Sequence, residues 1–120
     1  MQSLMQLLPA QVESATKVSG VKWVAQCCDI QDAPRFGYRG FHLDPCRHFI
    51  TVENVKKQLD IMSMFKVNTM HFHLTEDQGW RIEIKKYPKL STVAAERDET
   101  VIGKNTGVYD GQHYGPFLYT

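Results

Sequence analysis

The sequence predicts an α/β fold whose centre is a strand–helix–strand unit. Residues 38–44 and 67–74 are short apolar segments with strand character, and apolar residues between them recur three and four positions apart, as in a helix. The short joints on both sides of that helix require parallel strands and a right-handed crossover. Because one helix cannot cover both faces of a parallel sheet, we expect the chain to be part of a larger α/β protein.

The composition is typical of a globular chain. Of the 120 residues, 42% are hydrophobic and 22% are charged, which argues against wholesale disorder. The formal charge of +1 gives no reason to expect nucleic acid or an anionic membrane as a partner. No apolar run reaches the ~18 residues of a membrane span, and the first residues show no signal-peptide pattern. The three cysteines include no CxxC pair, which favours buried thiols over disulfides or a zinc site.

The N-terminal part is expected to contain a short helix and one strand. Apolar residues in segment 1–14 recur at helical offsets, and Pro9 should end the helix or restart it. Residues 21–25 alternate like a strand, and residues 32–34 read as a turn or linker.

The central helix has the clearest sequence pattern. Thr51 can cap its N-terminus, Glu53 suits the dipole of the first turn, and the helix should end near Lys66. Its apolar face is formed by Val52, Val55, Leu59 and Met62, widened by Ile61, Met64 and Phe65.

The carboxyl ends of the two parallel strands are where functional residues are expected. These ends are residues 44–48 and 75–80. Residues 80–84 alternate like a further strand, and the glycine-containing remainder to residue 120 is expected to form a long functional loop.

The end of the first strand carries Asp44, Arg47 and His48. The guanidinium fork of Arg47 can hold two adjacent oxygens of a substrate. Arg47 can equally pair with Asp44 only to fix the loop, and the spacing does not decide between these roles. Cys46 beside Arg47 is a weaker candidate for a reactive thiol. Four aromatic residues suit either sugar stacking or a core: Trp23, Tyr38, Phe41 and Trp80.

The second strand ends in His71, His73, Glu76 and Asp77. In a strand, His71 and His73 project to the same side, and with either carboxylate they could hold a divalent metal. The alternative is a pair of packed, hydrogen-bonded histidines. Glu76 and Asp77 are adjacent, so one can face a pocket while the other anchors the loop.

Two long motifs resemble the catalytic barrel of β-N-acetylhexosaminidases, glycoside hydrolase family 20. Residues 34–49 resemble the opening of that barrel, and residues 66–90 resemble its second strand and following loop. Residues 1–9 resemble the end of the small α/β domain that precedes the barrel, and residues 114–120 the segment before its second helix. The resemblance implies an incomplete TIM (β/α)₈ barrel over residues 34–120, with residues 1–33 completing a preceding domain.

The resemblance also implies a function. Enzymes of this family remove terminal β-linked N-acetylglucosamine or N-acetylgalactosamine without a cofactor. The 2-acetamido group of the substrate attacks the anomeric carbon, an Asp orients that group, and the adjacent Glu protonates the leaving oxygen. Arg47 matches the arginine that binds hydroxyls of the terminal sugar. Glu76 and Asp77 match an acidic pair that supports the active site, where many members carry Asp instead of Glu76.

The catalytic Asp–Glu pair belongs to a later strand of the barrel, which is expected beyond Thr120. Asp98 and Glu99 are adjacent but lie in the long loop, and such a barrel needs about 250 residues. We therefore expect no catalytic residue between Met1 and Thr120, no hydrolysis by the chain alone, and self-association through uncovered sheet surfaces.

The parent enzyme would act on carbohydrate with a terminal N-acetylhexosamine, and relatives are often periplasmic or secreted. The rival interpretations are a metal-dependent barrel hydrolase using His71 and His73, and a non-catalytic sugar-binding module.

Overall fold

The computed structural model describes residues 2–104 and 106–120. Its helices are α1 (Gln2–Met5), α2 (Val52–Met64) and α3 (Lys89–Thr92), with a 3₁₀ helix at Ala10–Glu13. Its strands are β1 (Gly40–Leu43), β2 (Thr69–Phe72), β3 (Thr75–Glu76) and β4 (Gly79–Trp80).

Strands β1 and β2 pair in parallel, and α2 connects them. The register sets Phe41 opposite Met70 and His42 opposite His71. The predicted strand–helix–strand unit is therefore confirmed, and the ends of β1 and β2 lie side by side at one edge of the sheet.

Helix α2 begins and ends where its sequence signals predict. The Thr51 hydroxyl accepts the backbone N–H of Asn54 at 3.4 Å, which satisfies one of the free donors of the first turn. The helix ends at Met64, and Lys66 then adopts the left-handed conformation with φ of 55°. The backbone N–H of Val67 bonds the carbonyl of Met62 and turns the chain toward β2.

Two strand predictions are wrong. Residues 21–25 form no strand, since this segment has no ladder partner among the described residues, and Trp23 is 51% exposed. Segment 80–84 is strand only at Trp80, and Ile82 makes a single parallel bridge to Tyr119. Alternation of apolar residues predicts a strand, but pairing requires the edge of another strand within reach.

The segment after β4 folds back onto the strand ends. It pairs with itself through bridges from Arg97 to Tyr114 and from Val101 to Tyr109. The ring of Tyr119 then lies 5.0 Å from that of Phe49, measured between centroids. The predicted long loop is therefore an ordered layer beside the site.

The molecule is extended and has a small core. The radius of gyration is 21.0 Å, whereas a compact chain of this length has about 14 Å. The buried apolar side chains of the described residues are Pro45, Cys46, Met62 and Ala95. Within the described ranges, no helix combines the length and apolar character needed to cross a membrane.

Candidate active site

Asp44 builds the turn that follows β1. Its Oδ1 atom accepts the backbone N–H of Cys46 at 3.0 Å and that of Arg47 at 3.3 Å. This turn stabilised by an Asp side chain reverses the chain directly after the strand and presents Arg47 at the strand end.

Arg47 bridges the ends of the two parallel strands. Its Nη1 atom lies 3.1 Å from Asp44 Oδ2 and 2.7 Å from Glu76 Oε2, and its side chain is 43% exposed. Burial opposes the charged form, but the carboxylates of Asp44 and Glu76 outweigh it and hold the pKa of Arg47 above its usual range. No hydrogen bond or ion pair from Nε or Nη2 of Arg47 is present among the described residues, so these donors are not used within that part of the chain. Arg47 thus has both the loop-fixing contact and free donors.

A two-residue hairpin places Glu76 against Arg47. Strands β3 and β4 pair Thr75 with Trp80 and Glu76 with Gly79. Asp77 at the hairpin tip is exposed, and its backbone N–H donates to Glu76 Oε1 at 3.2 Å. Hydrogen bonding from Asp77 and the charge of Arg47 hold the pKa of Glu76 below its usual range, although desolvation acts in the opposite direction. Of the two adjacent acids, Glu76 is the one directed at Arg47.

His73 lies beside the two carboxylates that contact Arg47. Its Nε2–H donates to the carbonyl of Thr75 at 3.0 Å, and Nε2 lies 3.4 Å from Glu76 Oε2. Its Nδ1 atom lies 3.8 Å from Asp44 Oδ2. A single imidazole therefore touches both carboxylates that bind Arg47.

The structure groups the histidines differently from the metal-site hypothesis. His71 and His73 lie on the same side, with ring centroids 6.0 Å apart, but His71 bonds His42 through their Nδ1 atoms at 3.1 Å. Among the described residues, metal-ligand spacing is found for His42, Asp44 and His73, whose ligand atoms lie within 4.8 Å of one another. Since Asp44 already neutralises Arg47, this donor set fits a cation poorly.

His48 lines a cleft beside Arg47. The cleft measures about 420 Å³ and shares Arg47 as one wall. Its other lining residues are Gln78, Arg97, Glu99, Thr100, Val101, Gly103 and Tyr109. Sequence position grouped His48 with Asp44, but no hydrogen bond or ion pair joins the two side chains among the described residues.

The two adjacent acids of the long loop have different surroundings. The Asp98 side chain is 98% exposed, with Oδ1 lying 3.6 Å from Nδ1 of His113, while Glu99 lines the cleft beside His48. Thr120 is exposed and lines a different cleft with Val52 and Phe72, away from Arg47. The expectation that the catalytic Asp–Glu pair lies beyond Thr120 therefore stays a prediction.

The remaining candidates do not converge on Arg47. Cys46 is fully buried and its thiol donates to the carbonyl of His73 at 2.9 Å. Burial raises the pKa of this thiol, and the charge of Asp44 adds to the effect, so the environment disfavours a reactive thiolate. The indole N–H of Trp80 donates a hydrogen bond to the carbonyl of Ile82 at 2.8 Å. Trp23 is largely exposed, as is Tyr38.

Sequence reasoning missed Arg81, a residue 1% exposed directly after the hairpin. Its guanidinium donates to carbonyls of the Arg47 turn and of two distant segments. A side chain at Gly79 would collide with it, because a Cβ there would lie 2.5 Å from Arg81 Nη2. No sequence signal marks such a residue, since its partners are backbone atoms far along the chain.

Arg97 is the second missed residue. Its Nη1 atom donates to the carbonyl of Arg47 at 2.8 Å and to that of Gln78 at 3.4 Å. Its guanidinium carbon lies 5.2 Å from the ring centroid of Tyr114. The long segment after β4 thereby contacts the backbone of both strand-end turns.

Comparisons with known proteins agree on one family. The model of the catalytic domain of glycosyl hydrolase family 20 matches residues 36–117. A beta-hexosaminidase of Porphyromonas gingivalis is 55% identical over 91% of the chain, and one of Akkermansia muciniphila is 47% identical over 62%. The chain spans only 14% and 15% of the lengths of these two relatives.

Solved structures give the same result. An exo beta-N-acetylglucosaminidase of Vibrio harveyi, solved in complex with N-acetylglucosamine, is 43% identical and superposes with a TM-score of 0.69. That match covers 95% of this chain and 17% of the other. A Streptomyces plicatus beta-hexosaminidase mutant in complex with its product GlcNAc is 42% identical over 77% of this chain and 18% of its own, with a TM-score of 0.68. The chain therefore belongs to glycosyl hydrolase family 20, with residues 36–117 matching that family's catalytic domain.

Proposed function

We propose that this chain forms part of a β-N-acetylhexosaminidase that removes terminal β-linked N-acetylglucosamine or N-acetylgalactosamine. Residues 34–120 would supply the first two strands, the first helix and the second loop of a TIM (β/α)₈ barrel, and residues 1–33 the end of a preceding domain. The observation that carries the proposal is the contact between Arg47 and Glu76 at the adjoining ends of two parallel strands. Strand ends on this side are where barrel enzymes place their sites.

Arg47 is the proposed sugar-binding residue of this chain. Its Nη1 atom is held by two carboxylates, while Nε and Nη2 make no hydrogen bond or ion pair to the described residues. A guanidinium fixed on one side can donate from the other side to two neighbouring hydroxyls of the terminal sugar. The names of the relatives, and the N-acetylglucosamine bound to the Vibrio harveyi enzyme, support this substrate class.

Glu76 and Asp77 are proposed to support the site and not to act on the sugar. Glu76 fixes the angle of Arg47 through its 2.7 Å contact and also lies 3.4 Å from His73. Asp77 donates its backbone N–H to Glu76 and so orients that carboxylate. The longer side chain of Glu, compared with the Asp common in the family, reaches Arg47 from the hairpin.

The chemical step is proposed to use the substrate's own acetamido group. Its oxygen attacks the anomeric carbon while an acid protonates the leaving oxygen, and water then opens the cyclic intermediate with retention of configuration. The Asp that orients the acetamido group and the Glu that acts as acid would come from residues beyond Thr120 in the complete barrel. We accordingly expect no hydrolysis by these 120 residues alone and no requirement for a cofactor.

The test is hydrolysis of aryl β-N-acetylglucosaminide and β-N-acetylgalactosaminide by the complete enzyme that contains this chain. Arg47→Lys should lower kcat/KM by about 10- to 100-fold, because charge-assisted fork bonds to sugar hydroxyls are lost. Arg35→Lys is the matched control, since Arg35 is exposed and its guanidinium makes a cation–π contact with the ring of its neighbour Phe36. A wild-type enzyme that cleaves neither substrate would contradict the proposal.

The rival functions have separate readouts. Retained activity after chelation and metal analysis would exclude a metal-dependent hydrolase built on His42, Asp44 and His73, the set that has metal-ligand spacing. Binding of N-acetylglucosamine without turnover, lost on Arg47→Ala, would instead support a sugar-binding module. We expect turnover, because a lone arginine outside a walled pocket gives little affinity.

A further inference from the structure

Arg81 carries a full charge in the most enclosed part of the described structure. The four hydrogen bonds of its guanidinium all go to backbone carbonyls: Pro45 at 3.0 Å, Cys46 at 3.2 Å, Ala95 at 2.9 Å and Phe117 at 3.3 Å. No carboxylate pairs with it among the described residues. Burial of a guanidinium costs free energy unless its N–H donors are hydrogen-bonded. Moving any of these carbonyls away from Arg81 would therefore be unfavourable.

Two aromatic rings reinforce the position of Arg81. Its guanidinium carbon lies 5.9 Å from the ring centroid of Phe49 and 6.0 Å from that of Phe117. Desolvation is the largest influence on this group and lowers its pKa, yet the guanidinium remains charged at every physiological pH. The two rings stack on each other, with centroids 5.0 Å apart, so together they form one aromatic wall beside the guanidinium, and its four hydrogen bonds fix the orientation of the fork.

Two of the four carbonyls belong to the turn that carries Arg47. Arg81 holds the carbonyls of Pro45 and Cys46, while Asp44 takes the N–H groups of Cys46 and Arg47. Both the carbonyls and the N–H groups of the turn are thus hydrogen-bonded to side chains, the carbonyls to Arg81 and the N–H groups to Asp44. The site of Arg47 is determined by this pair of contacts together with the 2.8 Å bond from Arg97 to its carbonyl.

We propose that Arg81 is a positioning residue for sugar binding, which acts by fixing the Pro45–Cys46 carbonyls and thereby the place of Arg47. The inference rests on the proposed function of Arg47. Arg81 does not face the sugar, because its guanidinium is enclosed by the turn and by the Ala95 and Phe117 carbonyls. Lysine cannot replace it, since a single ammonium cannot reach four carbonyls on three segments.

The test is a double-mutant cycle in the complete enzyme. Arg81→Lys is measured as kcat/KM per folded enzyme in two backgrounds, wild type and Arg47→Ala. We expect a loss of about 10-fold in the wild-type background, in the range of couplings between residues that share a network. In the Arg47→Ala background we expect less than about a twofold loss, because the residue through which Arg81 acts is gone. A merely structural role would lower both backgrounds by the same factor.

Controls separate the possible failures. Arg39→Lys is the matched control, because Arg39 also donates to backbone carbonyls, those of Lys66 and Phe36 at 2.7 Å each, but away from the turn. It should leave kcat/KM unchanged. If Arg81→Lys does not fold, Phe117→Leu removes one stacking ring, keeps the Phe117 carbonyl, and should show a smaller loss with the same dependence on Arg47.

Each result has one meaning. An equal loss in both backgrounds overturns the positioning role of Arg81 and leaves the proposed function intact. A wild-type enzyme that cleaves neither aryl substrate contradicts the proposed function itself. A loss confined to the background that retains Arg47 establishes the inference.

Discussion

The contact between Arg47 and Glu76 matters for geometry more than for stability. Both side chains are partly exposed, at 43% and 24%, and exposed ion pairs contribute little to the free energy of unfolding. The pair joins the ends of two separate strands, however, so it fixes a donor in relation to the sheet. The same Nη1 atom also contacts Asp44, so the two carboxylates together set the guanidinium orientation.

Protonation of Glu76 should weaken sugar binding only in acid. The pKa of Glu76 lies below its ordinary value of 4.5, so its contribution is complete above 4.5 and is lost as pH falls through the lower folded-state value. We expect the ratio of KM for Glu76→Gln to KM for wild type to stay constant down to pH 4.5 and to approach one below it. Steady-state kinetics of the complete enzyme measures this ratio.

The ratio cancels titration of the catalytic acid, which both enzymes share. Glu53→Gln is the matched control, since Glu53 is an exposed carboxylate in the first turn of α2. Its ratio should equal one at every pH. A Glu76→Gln ratio that already reaches one above pH 4.5 would show that Glu76 does not hold Arg47 as an anion.

Single residues were predictable where chemistry and strand position coincide. Arg47 and Glu76 lie close beyond the ends of β1 and β2, and the structure brings them together at 2.7 Å. Their roles in binding remain predictions. The burial of Arg81 was not predictable, because an arginine within an alternating segment is expected to face solvent. Its partner carbonyls lie up to 36 positions away, and because they are backbone atoms, no residue type in the sequence marks them.

Among the elements, helix α2 owes its start to one side chain. The Thr51 hydroxyl accepts the Asn54 N–H, a group that otherwise has no partner within the helix. Thr51→Ala should raise amide exchange in residues 52–56 by about fivefold, since loss of a cap costs about 1 kcal/mol. Hydrogen–deuterium exchange on the complete enzyme measures this change.

A conservative variant tests the cause of that change. Thr51→Ser keeps the hydroxyl acceptor, so its exchange should match wild type. Unchanged exchange in Thr51→Ala would mean that packing alone sets the helix start.

Helix α2 and the parallel pair that it connects were predictable, whereas the strands predicted at residues 21–25 and 80–84 were not. Helix α2 carries its cap, its periodicity and its stop within a single segment. Residues 21–25 have the alternation of a strand but find no edge among the described residues, and β4 stops at Trp80 because the next contact, from Ile82 to Tyr119, is a single bridge. Strand pairing depends on what lies alongside, which local pattern does not encode.

For the whole molecule, the exposed apolar surface is the dominant feature. Helix α2 leaves Leu59, Ile61 and Met64 between 45% and 47% exposed, and Phe65 beyond it is 73% exposed. A parallel sheet is normally covered on both faces, and here it has two strands and one connecting helix. The number of predicted strands and helices already indicated that the sheet faces would be incompletely covered. It did not indicate which side chains would be exposed.

Expressed alone, the 120-residue chain should self-associate through this surface. Sedimentation velocity should give a mass above 13.8 kDa that rises with concentration, because exposed apolar faces and open strand edges pair between copies. Leu59→Lys should reduce the association by placing a charge within the apolar face. Gln112→Lys adds the same charge at an exposed polar position and should change nothing. A monomer with a sharp unfolding transition independent of concentration would show instead that these residues are a self-sufficient domain.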